Sequence, residues 1–432
     1  MIKRNLIYQI LTIVIMLMIK TGYSQEIDLS GDIQISKKGK YLIASLLITN
    51  YETTSLTFAL SKRGQINDIK INGNSVRLKK HKPKGINCVV YETNPIELSI
   101  TDTITLNYRI KAKTNSLFKN RHDYKGEISL NDGILRASEQ SKWIPIFIAK
   151  STKYINDYSW KSFYNYDLRI SLSDTGFIYL NNGNVLMNSG RFISKQSTEN
   201  LLLIAGDFET SETENTLFIG EISESDKTAI DELIEDIGKY YFELSNIEMT
   251  AKFTFAHLPS DNPKWGGFFT YPTMVNVNRR LNLTGLESYL SHEMAHYYFG
   301  GKFQPKGILS LLYIEAFAEY YSLKYRISKG LVDMPNDCFK QFEKKDYIKL
   351  STIENSEDIS DEYRYEVFPY LLLELEKVVG EDKMQSFIKK LFELIKIEDN
   401  YGVNSITEAL KLIGVEDMER SHINDHIFNK NI

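Results

Sequence analysis

Two histidines and a glutamate stand at a spacing that suits metal-assisted hydrolysis. In SHEMAHYYFGG, His292 and His296 are four residues apart, about one helical turn, so a helix would turn both imidazoles the same way. Glu293 is displaced around that helix, where it can reach a metal-bound water without being a ligand. Thr284 and Glu287 predict a capping box at the helix start. The segment is typical of zinc peptidases, although chance would give this spacing in about one or two of a hundred such chains.

A catalytic zinc ion usually has three protein ligands, so the two histidines need one more. Glu315, separated from His296 by 18 residues, lies in a segment of helical composition over 310–326. A turn near 300–307 would return this second helix antiparallel beside the first. Glu319, one turn beyond Glu315, is then placed to accept a hydrogen bond from a ligand imidazole. Taken alone, the two glutamates also fit an ordinary pair of surface carboxylates.

The predicted cofactor is one Zn²⁺ per chain, held by His292, His296 and Glu315. The chain has only 2 cysteines, too few for a thiolate cluster, so histidines and carboxylates must supply the ligands. Glu293 is predicted to take a proton from the zinc-activated water and to pass it to the leaving amine.

Other histidines and both cysteines are interpreted without a role in chemistry. His257 ends an apolar strand and is predicted to be a packed or hydrogen-bonded core residue. His422 and His426 lie near the terminus and are treated as surface residues. Cys88 and Cys338 fall in different predicted domains, which favours thiols, although loop closure does not forbid a disulfide.

The stretch over 201–432 resembles the catalytic domain of the alanyl aminopeptidase family of gluzincins, peptidase family M1, whose pattern is H-E-x-x-H, 18 residues, then E. IEAFAEY is similar to the family's N-E-G-F-A-E-Y segment, with Ala316 in place of glycine. LLLIAGDFE resembles the strand that closes the family's N-terminal saddle of β-sheet. YEVFPYLLLELEKVVGEDKM resembles the helix that supplies the catalytic tyrosine, which implies that Tyr365 donates to the oxyanion.

This resemblance implies an all-β N-terminal domain followed by a thermolysin-like catalytic domain. The chain is expected to be a short form that ends before the large helical C-terminal domain of full-length members. One segment departs from the family pattern, which has a G-x-M-E-N strand whose glutamate holds the substrate's free α-ammonium. Here KWGGFFTYPTMVNV keeps Gly266 and Gly267 in the substrate strand but has no carboxylate between Trp265 and Val277.

That strand can still pair with an extended peptide through backbone hydrogen bonds. The sequence therefore predicts metallopeptidase chemistry, as an aminopeptidase or an endopeptidase, without the ammonium clamp. A rival hypothesis is a peptide-binding or scaffold protein that kept the fold and lost turnover. The missing clamp favours the rival, whereas the retained histidines, glutamates and tyrosine argue against it, because binding alone needs no general base.

The elements that must position these residues fall into two classes along the chain. Before about residue 211, short alternating segments such as YLIASLLIT and TITLNYRIK, with frequent turn residues, predict an antiparallel sandwich. After it, an acidic amphipathic helix and the strand AKFTFAHL precede a mainly helical pattern. The predicted fold class is α+β, with a saddle-like antiparallel β-sandwich domain over 25–210 and a thermolysin-like, mainly helical zinc-peptidase domain over 211–432.

Residues 1–24 have the layout of a secretory signal peptide. Lys3 and Arg4 precede an apolar run over 6–19, and small Gly22 and Ser24 follow it. A retained membrane anchor is the alternative, because the run is only a little shorter than the roughly 18 residues that favour spanning. We predict export to the periplasm or the extracellular space, with no membrane span after cleavage.

Composition and charge limit the partners. Hydrophobic residues at 42% and charged residues at 25% are typical of globular proteins, and 432 residues suggest two or three domains. With 52 basic and 56 acidic side chains the net charge is -4, and without a long Lys/Arg stripe nucleic acid is not an expected partner. The predicted partner is a peptide or protein substrate, and a further protein that completes the cleft is left open.

Overall fold

A computed structural model of the chain describes residues 26–83, 88–114, 128–131, 133–138, 141–148, 162–181, 185–194, 197–198, 201–249, 252–257, 267–270, 274–277, 285–303, 305, 309–333, 359–397 and 404–416. The predicted signal peptide lies outside these ranges, as do His422, His426 and Cys338. The described residues divide into two compact units, one up to Ala205 and one from Gly206 on. The domain limits 25–210 and 211–432 stay predictions.

The first unit consists of β-strands. They are β1 (Glu26–Ser36), β2 (Tyr41–Thr49), β3 (Thr57–Ser61), β4 (Gly64–Ile71), β5 (Asn74–Ser75), β6 (Leu78–His81), β7 (Cys88–Thr93), β8 (Ile104–Lys111), β9 (Ser129–Asn131), β10 (Ile134–Ala137), β11 (Ile146–Phe147), β12 (Phe163–Leu172), β13 (Phe177–Leu180), β14 (Val185–Met187), β15 (Ser189–Ile193) and β16 (Leu203–Gly206). Three sheets have the orders β15-β12-β1-β2-β8-β4-β5, β14-β13-β16-β10-β9 and β11-β3-β7-β6.

Alternation of apolar and polar residues explains these strands. In β2, Leu42, Ala44, Leu46 and Ile48 are buried, while the residues between them face outward. The expectation of antiparallel pairing is wrong for β1 and β12, which run parallel over ten residue pairs, from Glu26 with Phe163 to Ile35 with Leu172. A parallel pair requires a long crossover connection rather than a hairpin, and local alternation carries no signal for it.

The second unit combines a five-stranded sheet with helices. Its strands are β17 (Thr210–Glu212), β18 (Thr216–Ile219), β19 (Phe253–His257), β20 (Gly267–Thr270) and β21 (Met274–Val277), in the order β17-β18-β19-β21-β20. Its helices are α1 (Glu224–Ser245), α2 (Leu286–Ala295), α3 (Ser310–Ser328), α4 (Phe368–Val379), α5 (Glu381–Ile397) and α6 (Asn404–Leu412). A π-helical turn over Tyr363–Val367 precedes α4.

Helix α1 matches the predicted acidic amphipathic helix. The Ser223 side chain caps it by accepting a hydrogen bond from the Asp226 backbone N–H at 3.2 Å, and Asn246 ends it in the left-handed conformation. The unit's core joins this helix to α2, α3, α4 and α5 through aliphatic and aromatic side chains. Mostly antiparallel sheets together with α-helices confirm the mixed α and β class. Among the described residues, no helix has the length and apolar character needed to cross a membrane.

Candidate metal centre

Helix α2 carries the first two predicted metal ligands. The helix begins at Leu286, and its N-cap is Gly285 at φ 79°, with no side-chain hydrogen bond to the cap. Gly285 therefore takes the N-cap position, where its left-handed backbone causes no strain, and Thr284 of the predicted capping box lies outside the described residues. His292 lies in the last turn, and His296 is the C-cap residue, still in right-handed helical conformation at φ −65° and ψ −13°. One turn thus separates the two imidazoles, as predicted.

The return of the chain brings α3 against α2. Gly300 turns the backbone at φ 99°, a conformation that favours glycine, and a Cβ on it would also lie close to the Ile314 side chain, at 3.3 Å. Ser291 and Ser322 bring the helices close together, with their hydroxyl oxygens 2.8 Å apart. Because residues earlier in α2 meet residues later in α3, the two helices run antiparallel, as predicted.

Helix α3 places Glu315 opposite both histidines. Its Oε2 lies 3.4 Å from His292 Nε2 and 3.5 Å from His296 Nε2. Ligand bonds of roughly 2.0 to 2.2 Å in a tetrahedral zinc site put ligand atoms about 3.4 Å apart, so the spacing fits zinc. Among the described residues, these three form the one group of His, Cys, Asp or Glu that is able to hold a metal ion.

Hydrogen bonds at Nδ1 hold both imidazoles with Nε2 facing Glu315 Oε2. His296 Nδ1 lies 3.1 Å from the Phe299 carbonyl oxygen, and His292 Nδ1 lies 2.8 Å from Glu319 Oε2. A carbonyl or a carboxylate can only accept, so both Nδ1 atoms donate, and Nε2 is the nitrogen that each imidazole can offer to a metal in exchange for a proton. Glu319 thus makes the predicted contact with the imidazole of a candidate ligand. Its other oxygen accepts a hydrogen bond from Arg326, so each oxygen of Glu319 already has a partner within the centre.

The charges around the triad of His292, His296 and Glu315 favour the binding of a cation. Burial opposes the imidazolium of His292, but hydrogen bonds to Glu315 and Glu319 outweigh it and raise the pKa of His292 to about 10. Burial likewise opposes ionisation of Glu315, but His296 and His292 hold the pKa of its carboxyl well below the usual range. Carboxylates that stabilise a proton this strongly also suit a dication in its place.

Glu293 lies beside the triad without belonging to it. It is only 8% exposed, and burial raises its pKa, which the charges of His292 and His296 oppose. A hydrogen bond from Tyr289, one turn earlier on α2, also stabilises the carboxylate. A buried carboxylate with a raised pKa is suited to accept a proton and to release it again.

Tyr365 approaches the triad from the π-helical turn. Its ring centroid lies 5.7 Å from that of His292, and its hydroxyl hydrogen-bonds Glu315. Desolvation of the phenol by the surrounding protein is the main cause of a raised pKa for Tyr365, and the negative charge of Glu315 adds to it. The residue as a whole is still 38% exposed. Tyr365 therefore stays protonated at neutral pH and is able to donate a hydrogen bond beside His292 and Glu315.

Pro369 explains the π-helical turn locally. It lacks the N–H that would bond the Tyr365 carbonyl in an α-helix, and its ring would clash with that carbonyl. The Phe368 N–H bonds the Tyr363 carbonyl instead, five residues back, and α4 begins at Phe368 with Pro369 in its first turn, where a missing N–H costs little. π-Turns are frequent at functional sites.

The remaining sequence candidates lie elsewhere. His257 is 8% exposed in β19, with Nδ1 3.3 Å from the Glu221 carbonyl oxygen, which agrees with a packed, hydrogen-bonded residue. Cys88 is buried in β7. Gly266 of the predicted substrate strand lies outside the described residues, and Gly267 begins β20, which pairs with β21 in the second unit's sheet.

Sequence reasoning missed two contacts of this centre. Tyr289 precedes Glu293 by four residues, so helical spacing alone could have linked the two side chains. Arg326 follows Glu319 by seven residues, two turns along α3, and periodicity could have placed both on one face. Neither residue stands in a motif, which is why neither was selected.

Solved M1 zinc metallopeptidases have the same fold as this chain. A mutant M1 zinc metallopeptidase from Deinococcus radiodurans, bound to a Tyr-Ser-Ala substrate, matches 95% of this chain and 94% of its own with a TM-score of 0.67 and 15% identity. Native yeast LTA4 hydrolase matches over 95% and 68%, with a TM-score of 0.65 and 13% identity. Legionella pneumophila aminopeptidase A in complex with aspartic acid matches over 94% and 49%, with a TM-score of 0.63 and 12% identity.

No protein-family model and no curated protein sequence matches the chain. The fold expected from the sequence resemblance to peptidase family M1 is confirmed by the structural neighbours, at sequence identities of 12% to 15% in those three comparisons.

Proposed function

We propose that this chain, which has the fold of M1 zinc metallopeptidases, is an exported zinc metallopeptidase that hydrolyses peptide bonds. The observation that carries the proposal is the triad of His292, His296 and Glu315, whose ligand spacing suits tetrahedral zinc, with Glu293 and Tyr365 beside it. The Tyr-Ser-Ala substrate of the Deinococcus neighbour supports a peptide as the substrate class.

Each side chain of the centre has a distinct role in the proposed reaction. Zinc, when bound, would polarise the scissile carbonyl and acidify the attacking water. Glu293 accepts a proton from that water as its oxygen bonds the carbonyl carbon, and returns the proton to the amine nitrogen as the C–N bond breaks. Tyr365 donates a hydrogen bond to the carbonyl oxygen while negative charge develops on it.

The proposal also includes the finer architecture. The three β-sheets of the first unit support a saddle-like β-sandwich domain, and the mixed sheet and ligand-bearing helices of the second support a thermolysin-like catalytic domain. The sequence pattern of residues 1–24 is the support for export. A peptide or protein substrate, and a partner that completes the cleft, belong to the same proposal.

Zinc is expected at about one ion per chain in the purified protein, by elemental analysis. His296→Ala and Glu315→Ala each remove a ligand and should reduce the zinc content to near zero after dialysis against a weak chelator. His81→Ala and Glu97→Ala change exposed residues of the first unit and are matched controls that should retain full zinc. Full occupancy in both ligand variants would contradict the ligand assignment.

Cleavage is expected to be independent of a free substrate N-terminus, because the stretch over 265–277 has no carboxylate to hold an α-ammonium. Pairs of peptides with one sequence, free or acetylated at the N-terminus, should show kcat/KM for the acetylated member at least equal to that for the free one. A charge-assisted hydrogen bond to the ammonium contributes about 1.5 to 3 kcal/mol, so a clamp would favour the free peptide by roughly 10- to 150-fold.

A strong preference for the free peptide would show that a carboxylate from another segment holds the ammonium. A zinc-loaded chain that binds both peptides and cleaves neither would favour the rival function, a peptide-binding or scaffold protein. The absence of a carboxylate between Trp265 and Val277 to hold the substrate ammonium is the observation that supports this second candidate function.

A further inference from the structure

Arg326 belongs to a chain of contacts that ends at a metal ligand. One guanidinium nitrogen donates to Glu319 Oε1, and the other oxygen, Oε2, accepts from His292 Nδ1 at 2.8 Å. Arg326 Nε also donates to the Ser322 carbonyl oxygen at 3.4 Å, which ties the guanidinium to its own helix. The contacts run in sequence from the α3 backbone through two side chains to the imidazole.

We propose that Arg326 is a positioning residue of the metal centre, which acts through Glu319 on His292; the proposal rests on the zinc site of the proposed function. Glu319 alone could rotate about its side-chain torsions and still hydrogen-bond the imidazole. With Oε1 held by Arg326, the carboxylate presents Oε2 in one orientation, and His292 Nε2 is directed to its place opposite Glu315 Oε2, 3.4 Å away.

Burial makes these contacts more effective than surface ion pairs. The side chains of His292, Glu319 and Arg326 are 14%, 16% and 14% exposed. Surface pairs contribute little because water and salt screen them, whereas partly buried charges interact in a lower dielectric. The planar guanidinium also orients a carboxylate better than an ammonium does.

Charge balance gives an independent reason for a cation at this position. The triad contains one carboxylate, Glu315, and two more, Glu293 and Glu319, lie beside it, whereas a divalent metal compensates only two negative charges. Among the described residues, Arg326 is the one Lys or Arg that forms an ion pair with any of the three. Lys324, on the same helix, pairs instead with Glu376 and Glu381.

The direct measurement is zinc affinity, by competition with a chromogenic chelator, with no substrate present. Loss of a group that orients a ligand typically costs about 10- to 100-fold in metal affinity, so Arg326→Gln should raise the zinc dissociation constant by about that factor. Arg326→Lys keeps the positive charge but lacks the planar guanidinium. Its zinc dissociation constant should lie between those of the wild type and Arg326→Gln. Arg191→Gln, which breaks an exposed Arg–Asp pair in the first unit, is the matched control and should leave zinc affinity unchanged.

A double-mutant cycle tests whether Arg326 acts through Glu319. Glu319→Gln alone should weaken zinc by a similar factor, and adding Arg326→Gln to it should cost less than about threefold more, because the contact is already lost. Full additivity would overturn the proposal. Unchanged zinc affinity in Arg326→Gln, with the chain folded, would overturn it as well.

Cobalt-substituted protein separates positioning from general stability. Altered ligand orientation should change the visible d–d spectrum of Arg326→Gln and Glu319→Gln in the same way, whereas a merely structural role would lower the Tm of the metal-free chain and leave the spectrum unchanged. If Arg326→Gln fails to fold, Arg326→Lys supports the same comparison. A wild-type chain that binds zinc but cleaves no peptide would contradict the proposed peptidase function only; one that binds no zinc would overturn both.

Discussion

Replacing Glu293 by glutamine is expected to remove most peptidase turnover while zinc stays bound. Glutamine has nearly the shape of glutamate but cannot accept a proton at neutral pH, so the attacking water loses its base. A positioned general base contributes about 10²- to 10⁴-fold, which is roughly 3 to 5 kcal/mol of activation free energy. Steady-state kinetics on a preparation with measured zinc content gives the fall in kcat.

Glu287→Gln is the matched control, because Glu287 lies in the first turn of the same helix and outside the ligand group. That change weakens a favourable charge at the helix N-terminus by a few tenths of a kcal/mol and should leave kcat near the wild-type value. Turnover of zinc-loaded Glu293→Gln within about threefold of wild type would assign the base to another group.

The grouping of the three candidate metal ligands was predictable because helical periodicity fixes their relation to one another. A separation of four residues places His292 and His296 on one face, whatever the rest of the fold does. Glu315 needed one more step, the antiparallel return of a second helix, which the turn at Gly300 provides. Glu319 then followed from periodicity along that helix, one turn beyond Glu315.

The contacts that orient these ligands were less accessible from sequence. The role of Arg326 can be inferred only once Glu319 is known to face His292, and that contact depends on the tertiary structure. At the start of α2, the Thr-x-x-Glu pattern predicts an N-cap one residue before the observed one, which is Gly285 at φ 79°. Local pattern cannot decide between two adjacent cap positions when the backbone conformation selects one of them.

In the first unit, strands were predictable but one of their pairings was not. Alternating apolar and polar residues predicted β2 and β8 as strands, and their alternating burial agrees with this. The parallel neighbour of β1 is β12, which begins at Phe163, well over a hundred residues further along the chain. Pairing over such a distance is decided by the packing of the whole unit rather than by any local periodicity.

Tyr365→Phe is expected to lower kcat by about a hundredfold to a thousandfold, or roughly 3 to 4 kcal/mol, with little change in KM. The phenol is kept protonated by its surroundings and lies beside the triad, so its hydrogen bond is strongest when the carbonyl oxygen gains charge. Phenylalanine preserves the ring and its packing, and zinc content should be unchanged. Steady-state kinetics with zinc analysis tests each of these points.

Tyr370→Phe provides the comparison, because that tyrosine lies on α4, partly buried against the core. Removing its hydroxyl should leave turnover close to wild type, which shows that loss of a tyrosine hydroxyl in this region is not damaging in itself. Near-normal turnover in Tyr365→Phe would mean that Tyr365 only packs at its π-turn, and the oxyanion would then depend on the metal or on a neighbour such as Tyr363 or Tyr370. A large fall in kcat in Tyr365→Phe alone would instead identify the π-turn as the element that directs a catalytic hydroxyl to the reacting carbonyl.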